Sequence, residues 1–148
     1  MKMNGLEVIY SKVGQVVAMA QRVEYHLATI FALNEVLKNQ SPNMIEVADE
    51  WFNNLNNNTM GSVIKAIKEV GLFTTDAERT LSKVLRERNY IVHQLFKEDI
   101  IKQEYSKKPE PIIQRLSQLL KTMDFVNDQL LQVITNLQNQ YKKRATAK

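Results

Sequence analysis

Apolar residues return every three or four positions along almost the whole chain. Leu6, Ile9, Val13, Val16, Ala20, Val23, Leu27 and Ile30 take such steps without a break. Residues spaced this way share one face of a helix, which predicts a long amphipathic helix reaching about Lys38. Gly5 and Gly14 weaken it slightly. Ser41-Pro42 reads as N-cap and first-turn proline for a second helix over 42–55, with Trp51 and Phe52 packing it onto the rest. The asparagine-rich stretch 53–58 reads as a loop. A short third helix over 60–70 has Gly71 placed to end it. Thr75-Asp76-Ala77-Glu78 has capping-box spacing and starts a fourth helix, running to about Asp99. Lys107 to Pro111 breaks the chain. A last helix over 111–141 carries Ile112, Leu116, Leu119, Met123, Val126, Leu130, Val133 and Leu137 on one stripe. No strand pattern, internal repeat or second domain interrupts this order. The expected fold is all-α: one domain over 1–148, a helical bundle of four to five helices with two long ones. Its basic tail, about 142–148, is expected to fray.

Composition narrows the picture. A chain of 148 residues can bury a proper core. The formal charge of +4 permits an anionic partner without demanding one. With no cysteine there is no disulfide, thiolate metal site or thiol nucleophile. No apolar run reaches membrane-spanning length, and no signal-peptide core stands near the first residue. The expected setting is the cytoplasm, with no membrane partner.

Candidate chemistry concentrates in Arg88-Asn89-Tyr90-Ile91-Val92-His93. On a helix turning about 100° per residue, Leu81, Val84, Leu85, Val92 and Leu95 share a face, and Arg88 lies in its middle. His93 lies roughly 140° around from Arg88, near the edge of the polar side. Asn89 and Arg86, one and two turns before His93, share its stripe. An arginine on an apolar face is costly unless a carboxylate meets it. Glu24 sits at the centre of the first helix's apolar stripe, among Val17, Ala20, Leu27 and Phe31. The simplest solution is a Glu24–Arg88 ion pair across helices one and four. The same geometry turns His26 to the polar side, as a solvated surface histidine.

The pattern Arg88-Asn89-x-x-x-His93 resembles the signature of HEPN domains (higher eukaryotes and prokaryotes nucleotide-binding): an arginine, often followed by a polar residue, and a histidine four to six positions later. The all-α layout, the chain length and the motif's place before a final long helix are similar too. So is Thr59-Met60-Gly61 ahead of an amphipathic helix. The resemblance implies a metal-independent endoribonuclease, acting as a toxin or phage-defence effector, whose two motifs meet in a homodimer. His93 would then act as general base or acid for attack of a ribose 2′-hydroxyl on the adjacent phosphate. Arg88 would hold the phosphate or stabilise the charge developing on its oxygens, and Asn89 would orient His93 or contact the RNA backbone. Imidazole titrates near neutrality, and guanidinium is a permanently charged phosphate fork. If Glu24 occupies Arg88, Arg86 is the alternative phosphate ligand. The tyrosine that some toxin members carry two residues after the histidine is Leu95 here. An antitoxin or regulatory protein is a further partner the resemblance suggests.

Two other readings stay open: a non-catalytic HEPN-like module that binds RNA or a nucleotide, and a DNA-binding regulator. Against the last, no short basic recognition helix stands out. There is no phosphate-binding glycine loop, no HExxH and no paired carboxylate arrangement, so neither metal nor cofactor is expected. Lys97, Lys102, Lys107 and Lys108 alternate with Glu98, Asp99 and Glu104, which reads as a solvated face.

Overall fold

A computed structural model describes residues 4–39, 44–57, 60–97, 105 and 107–146. Five helices account for nearly all of them: α1 (Gly5–Asn39), α2 (Met44–Asn57), α3 (Met60–Val70), α4 (Thr75–His93) and α5 (Glu110–Thr146). The chain is an all-α helical bundle, with no strand among the described residues. No described helix is long and apolar enough to cross a membrane.

The two long helices, of 35 and 37 residues, lie side by side and parallel. Gly5 meets Pro109 at one end, His26 meets Asn127 midway, and Arg144 reaches the Leu37 carbonyl at the other. A methyl group on Gly5 would come within 2.5 Å of the Pro109 ring, so only glycine lets the two helices start this close. Helix α4 runs antiparallel to both and lies across them. The apolar stripes converge where these three helices meet. Leu27, Ile30, Leu85, Leu116, Met123 and Leu130 are each at most 1% exposed there. Helix α2 folds back along the second half of α1. The Trp51 ring packs on Phe31 at 5.0 Å, and its indole N–H donates to Glu35 Oε2 at 2.6 Å. The Phe52 side chain lies outside the described residues, as does the Ser41-Pro42 entry to α2.

Several boundaries differ from the sequence expectation, each for a local reason. Asn53 to Asn57 is helical, so α2 runs on into the stretch read as a loop. Helix α3 ends where expected: Gly71 adopts φ 65°, the left-handed conformation that ends it without a Cβ clash. The N-cap of α4 is Thr74, one residue before the expected capping box. Its backbone is extended, and its hydroxyl accepts from the Ala77 N–H at 3.1 Å. Helix α5 continues through the basic residues to Thr146, where fraying was expected. There the Arg144 guanidinium donates to the Leu37 carbonyl, an orphan acceptor near the end of α1. Within α5 the buried stripe drifts from Val133, which is half-buried, to Ile134 at 7% exposure. On α4 the expected core residue Val92 is 42% exposed, and Ile91 is buried instead. Helix α3, 11 residues long against 19 in α4, is too short to shield the last turn of α4.

The cap assignment has a direct test. Thr74→Ala is expected to lower stability by about 1 kcal/mol, the usual cost of losing a hydroxyl cap. Thr75→Ala should cost clearly less. Urea unfolding of the two variants side by side checks which residue caps α4.

Candidate functional site

Helix α4 ends at His93, not near Asp99, and this decides how the motif is presented. The Tyr90 carbonyl accepts from both Gln94 N–H (2.8 Å) and Leu95 N–H (3.2 Å), closing the last turn. The chain then turns so that Leu95, fully buried, enters the core and Phe96 stacks on Tyr10 at 5.3 Å. Burial of an entire leucine side chain outweighs one more turn of exposed helix. His93 is thus the last residue of α4, and its ring is exposed.

Arg88 goes the other way. Its Nη2 lies 3.3 Å from Glu24 Oε1, with side-chain exposures of 25% for Arg88 and 15% for Glu24. The structure therefore brings together the two charges that stand on facing apolar stripes. It keeps Arg88 and His93 on different sides of α4. Burial pushes the Glu24 carboxyl above its ordinary range, and the Arg88 guanidinium offsets only part of that shift.

The outward side of α4 gathers the remaining motif residues. Arg86 is exposed and Asn89 is half-buried, two turns and one turn before His93 on the same sector of the helix. Arg86 also lines an open cleft of about 660 Å3 between α3, α4 and α5. At one end of that cleft the Arg115 guanidinium grips Glu87 with three contacts: Nη2 donates to Oε2 at 2.9 Å and to Oε1 at 3.2 Å, and Nε donates to Oε2 at 3.2 Å. Its centre lies 4.7 Å from the Tyr90 ring centroid. No motif in the sequence marks the Arg115–Glu87–Tyr90 cluster. A signal existed: Arg115 stands three residues after Ile112 and four before Leu119, on the margin of a core stripe.

His26 is not the solvated histidine that helical spacing suggested. It is half-buried between α1 and α5. The Asn127 side-chain oxygen lies 2.9 Å from His26 Nδ1, within hydrogen-bond distance. Asn127 itself is 6% exposed, and among the described residues its Nδ2 has no hydrogen-bond partner. Position 26 reaches the interface because the parallel approach of α5 widens the covered arc of α1. Lys102, Glu98, Asp99 and Glu104 of the expected solvated face lie outside the described residues, as does Thr59. Lys97, Lys107 and Lys108 are exposed. Among the described residues no three His, Asp or Glu side chains are grouped to hold a metal ion.

No family model, curated protein or solved structure matches this chain.

The buried pair yields two expectations. Arg88→Ala leaves Glu24 unpaired against the core and is expected to cost about 3 kcal/mol. Replacing both partners, Glu24→Leu with Arg88→Met, should recover most of that loss, and a double-mutant cycle in urea measures it. The second concerns pH. A carboxyl whose native pKa is raised stabilises the fold while protonated, and that stability is lost as pH rises through the raised value. Wild-type stability should therefore decline from the ordinary glutamate range upward, through the raised pKa of Glu24. Glu24→Gln, which cannot ionise, should lack that component of the pH dependence in otherwise identical unfolding curves.

Proposed function

We propose that this chain is a HEPN-like, metal-independent endoribonuclease that works as a homodimer, as a toxin or phage-defence effector. One observation carries the reading: His93 is exposed at the end of α4, in line with Arg86 and Asn89. The roles within the motif divide accordingly. Arg88 fixes the rotation of α4 about its own axis. Arg86 takes the phosphate, Asn89 steadies the imidazole or the RNA backbone, and His93 moves the proton.

The chemistry is an in-line transfer. His93 accepts the proton of a ribose 2′-hydroxyl as its oxygen attacks the adjacent phosphorus. The bond to the 5′ oxygen of the next nucleotide breaks. That oxygen leaves with a proton, and a 2′,3′-cyclic phosphate remains. Arg86 meets the charge that builds on the non-bridging oxygens. Base and acid are needed on opposite sides of the phosphorus, and each copy offers one histidine. A second copy placed across the ends of the two α4 helices supplies the other. The apolar surface that Val92 leaves exposed beside His93 gives such a copy something to cover.

A second reading has an observation of its own. With Arg88 committed to Glu24, the arginine of the resemblance is not free to contact a substrate. This favours a non-catalytic module that binds RNA or a nucleotide, alone or with an antitoxin or regulatory protein.

Induced expression with analysis of cellular RNA, repeated with purified protein, separates the two. The wild type is expected to arrest growth and cleave RNA. His93→Ala, folded by circular dichroism, should lose about 10²–10⁴-fold in cleavage, the usual share of general acid–base catalysis. Intact RNA and normal growth with the folded wild type would sink the nuclease and leave the binding module.

A further inference from the structure

The cleft between α3, α4 and α5 carries more positive charge than its walls need. Lys68 stands on α3, Arg79, Lys83 and Arg86 on α4, and Arg115 on α5. Against these five cations the lining offers two carboxylates, Glu78 and Glu87, and Arg115 already occupies Glu87. Among the described residues Lys68, Lys83 and Arg86 have no ion-pair partner. Arg79 has only a 3.8 Å approach to Asp76, at side-chain exposures of 78% and 93%, where solvent screens the attraction.

The order of the α4 residues matters as much as their charge. Arg79, Lys83, Arg86, Tyr90 and His93 follow one another by four, three, four and three positions. They form a single stripe, and at about 1.5 Å per residue it runs for some 20 Å. Like charges at this spacing repel along a helix. Three members of the stripe, Arg79, Lys83 and Arg86, are exposed cations that line one open cleft bordered by α3 and α5. Ser82, 8% exposed, also lines it, and Tyr90, braced by Arg115, stands where the cleft approaches His93.

We infer that this cleft binds the phosphodiester backbone of single-stranded RNA and leads the strand toward His93. The inference rests on the ribonuclease reading for its direction, but not for the binding itself. A row of cations along an open cleft, with an aromatic side chain beside it, suits a single strand, whose backbone can lie in a groove and whose bases can stack. A duplex is read by an element that protrudes into its grooves, and here the charged helix face is the floor of a cleft. The volume, about 660 Å3, suits a short run of nucleotides. Arg86 belongs to both sites: it closes the basic stripe and begins the stripe of the motif.

The test uses the full chain and a fluorescein-labelled RNA 12-mer with 2′-O-methyl groups, which removes the attacking hydroxyl and so separates binding from cleavage. Anisotropy is read across a salt series. Arg79→Glu with Lys83→Glu changes two exposed positions and should keep the fold, checked by circular dichroism. The double variant should bind about tenfold more weakly or worse. Its dependence of log affinity on log salt should flatten by about 0.7 for each phosphate no longer neutralised. Arg22→Glu with Lys121→Glu, in the separate groove between α1 and α5, should bind as the wild type does. Equal binding by the Arg79/Lys83 variant would overturn the proposal. So would equal weakening by the Arg22/Lys121 variant, which would mean net charge alone. Tighter binding of a duplex of the same length, or no binding by the wild type, would also overturn it. The two readings fail separately. Cleft-dependent binding without cleavage of natural RNA retains the cleft and removes the nuclease. Cleavage that survives reversal at Arg79 and Lys83, with binding intact, does the opposite.

Discussion

The ion pair between Glu24 and Arg88 sets the rotation of α4 within the bundle. Both charges stand on stripes that are otherwise apolar, so neither can turn to water without taking its whole helix face with it. With Arg88 held inward, helical geometry leaves little freedom for its neighbours. Arg86 and His93 must face out, and Leu81, Val84 and Leu85 must face in. A different rotation would bury Arg86 and strand Glu24. The pair need not add much net stability to do this. Its effect lies in the cost of every arrangement that breaks it.

Two further polar ties complete the arrangement. His26–Asn127 links α1 to α5, and Glu87–Arg115 links α4 to α5. Each pair among the three central helices is thus joined by a polar tie as well as by apolar surface. Leucine and isoleucine stripes alone tolerate sliding by a turn, since the next residue on the stripe fills the same space nearly as well. A hydrogen-bonded pair does not tolerate it, because a slipped partner leaves a half-buried polar group unmet. The parallel run of α1 and α5, from Gly5 against Pro109 to Arg144 against Leu37, is consistent with a register held in this way.

The early end of α4 has the clearest bearing on function. Burial of Leu95 turns the chain after His93 and places the imidazole at a helix terminus, beside surface that α3 is too short to shield. Rigid elements hold Arg86 and Tyr90 two turns and one turn back, while the histidine sits where another molecule can approach. The site therefore combines a fixed floor with an open end. That arrangement suits a group whose partner, whether RNA or a second copy, arrives from outside.

Much of this molecule is readable in the chain itself. The three-and-four spacing specifies the helices, because a helix that buries one face needs that period and no other. Two charges, each centred on an apolar stripe, point to one another, because an unpaired charge in a core costs too much. The motif residues and their angular relation follow from the same arithmetic. What periodicity lacks is knowledge of neighbours. The end of α4 depends on a pocket ready for Leu95, the exposure of Val92 on the length of α3, and the half-burial of His26 on how closely α5 approaches. The basic cleft needs three helices together: Lys68, Arg86 and Arg115 are far apart in sequence and share a surface only after packing. Local spacing decides which way each side chain points from its own helix. Tertiary packing decides what it meets there.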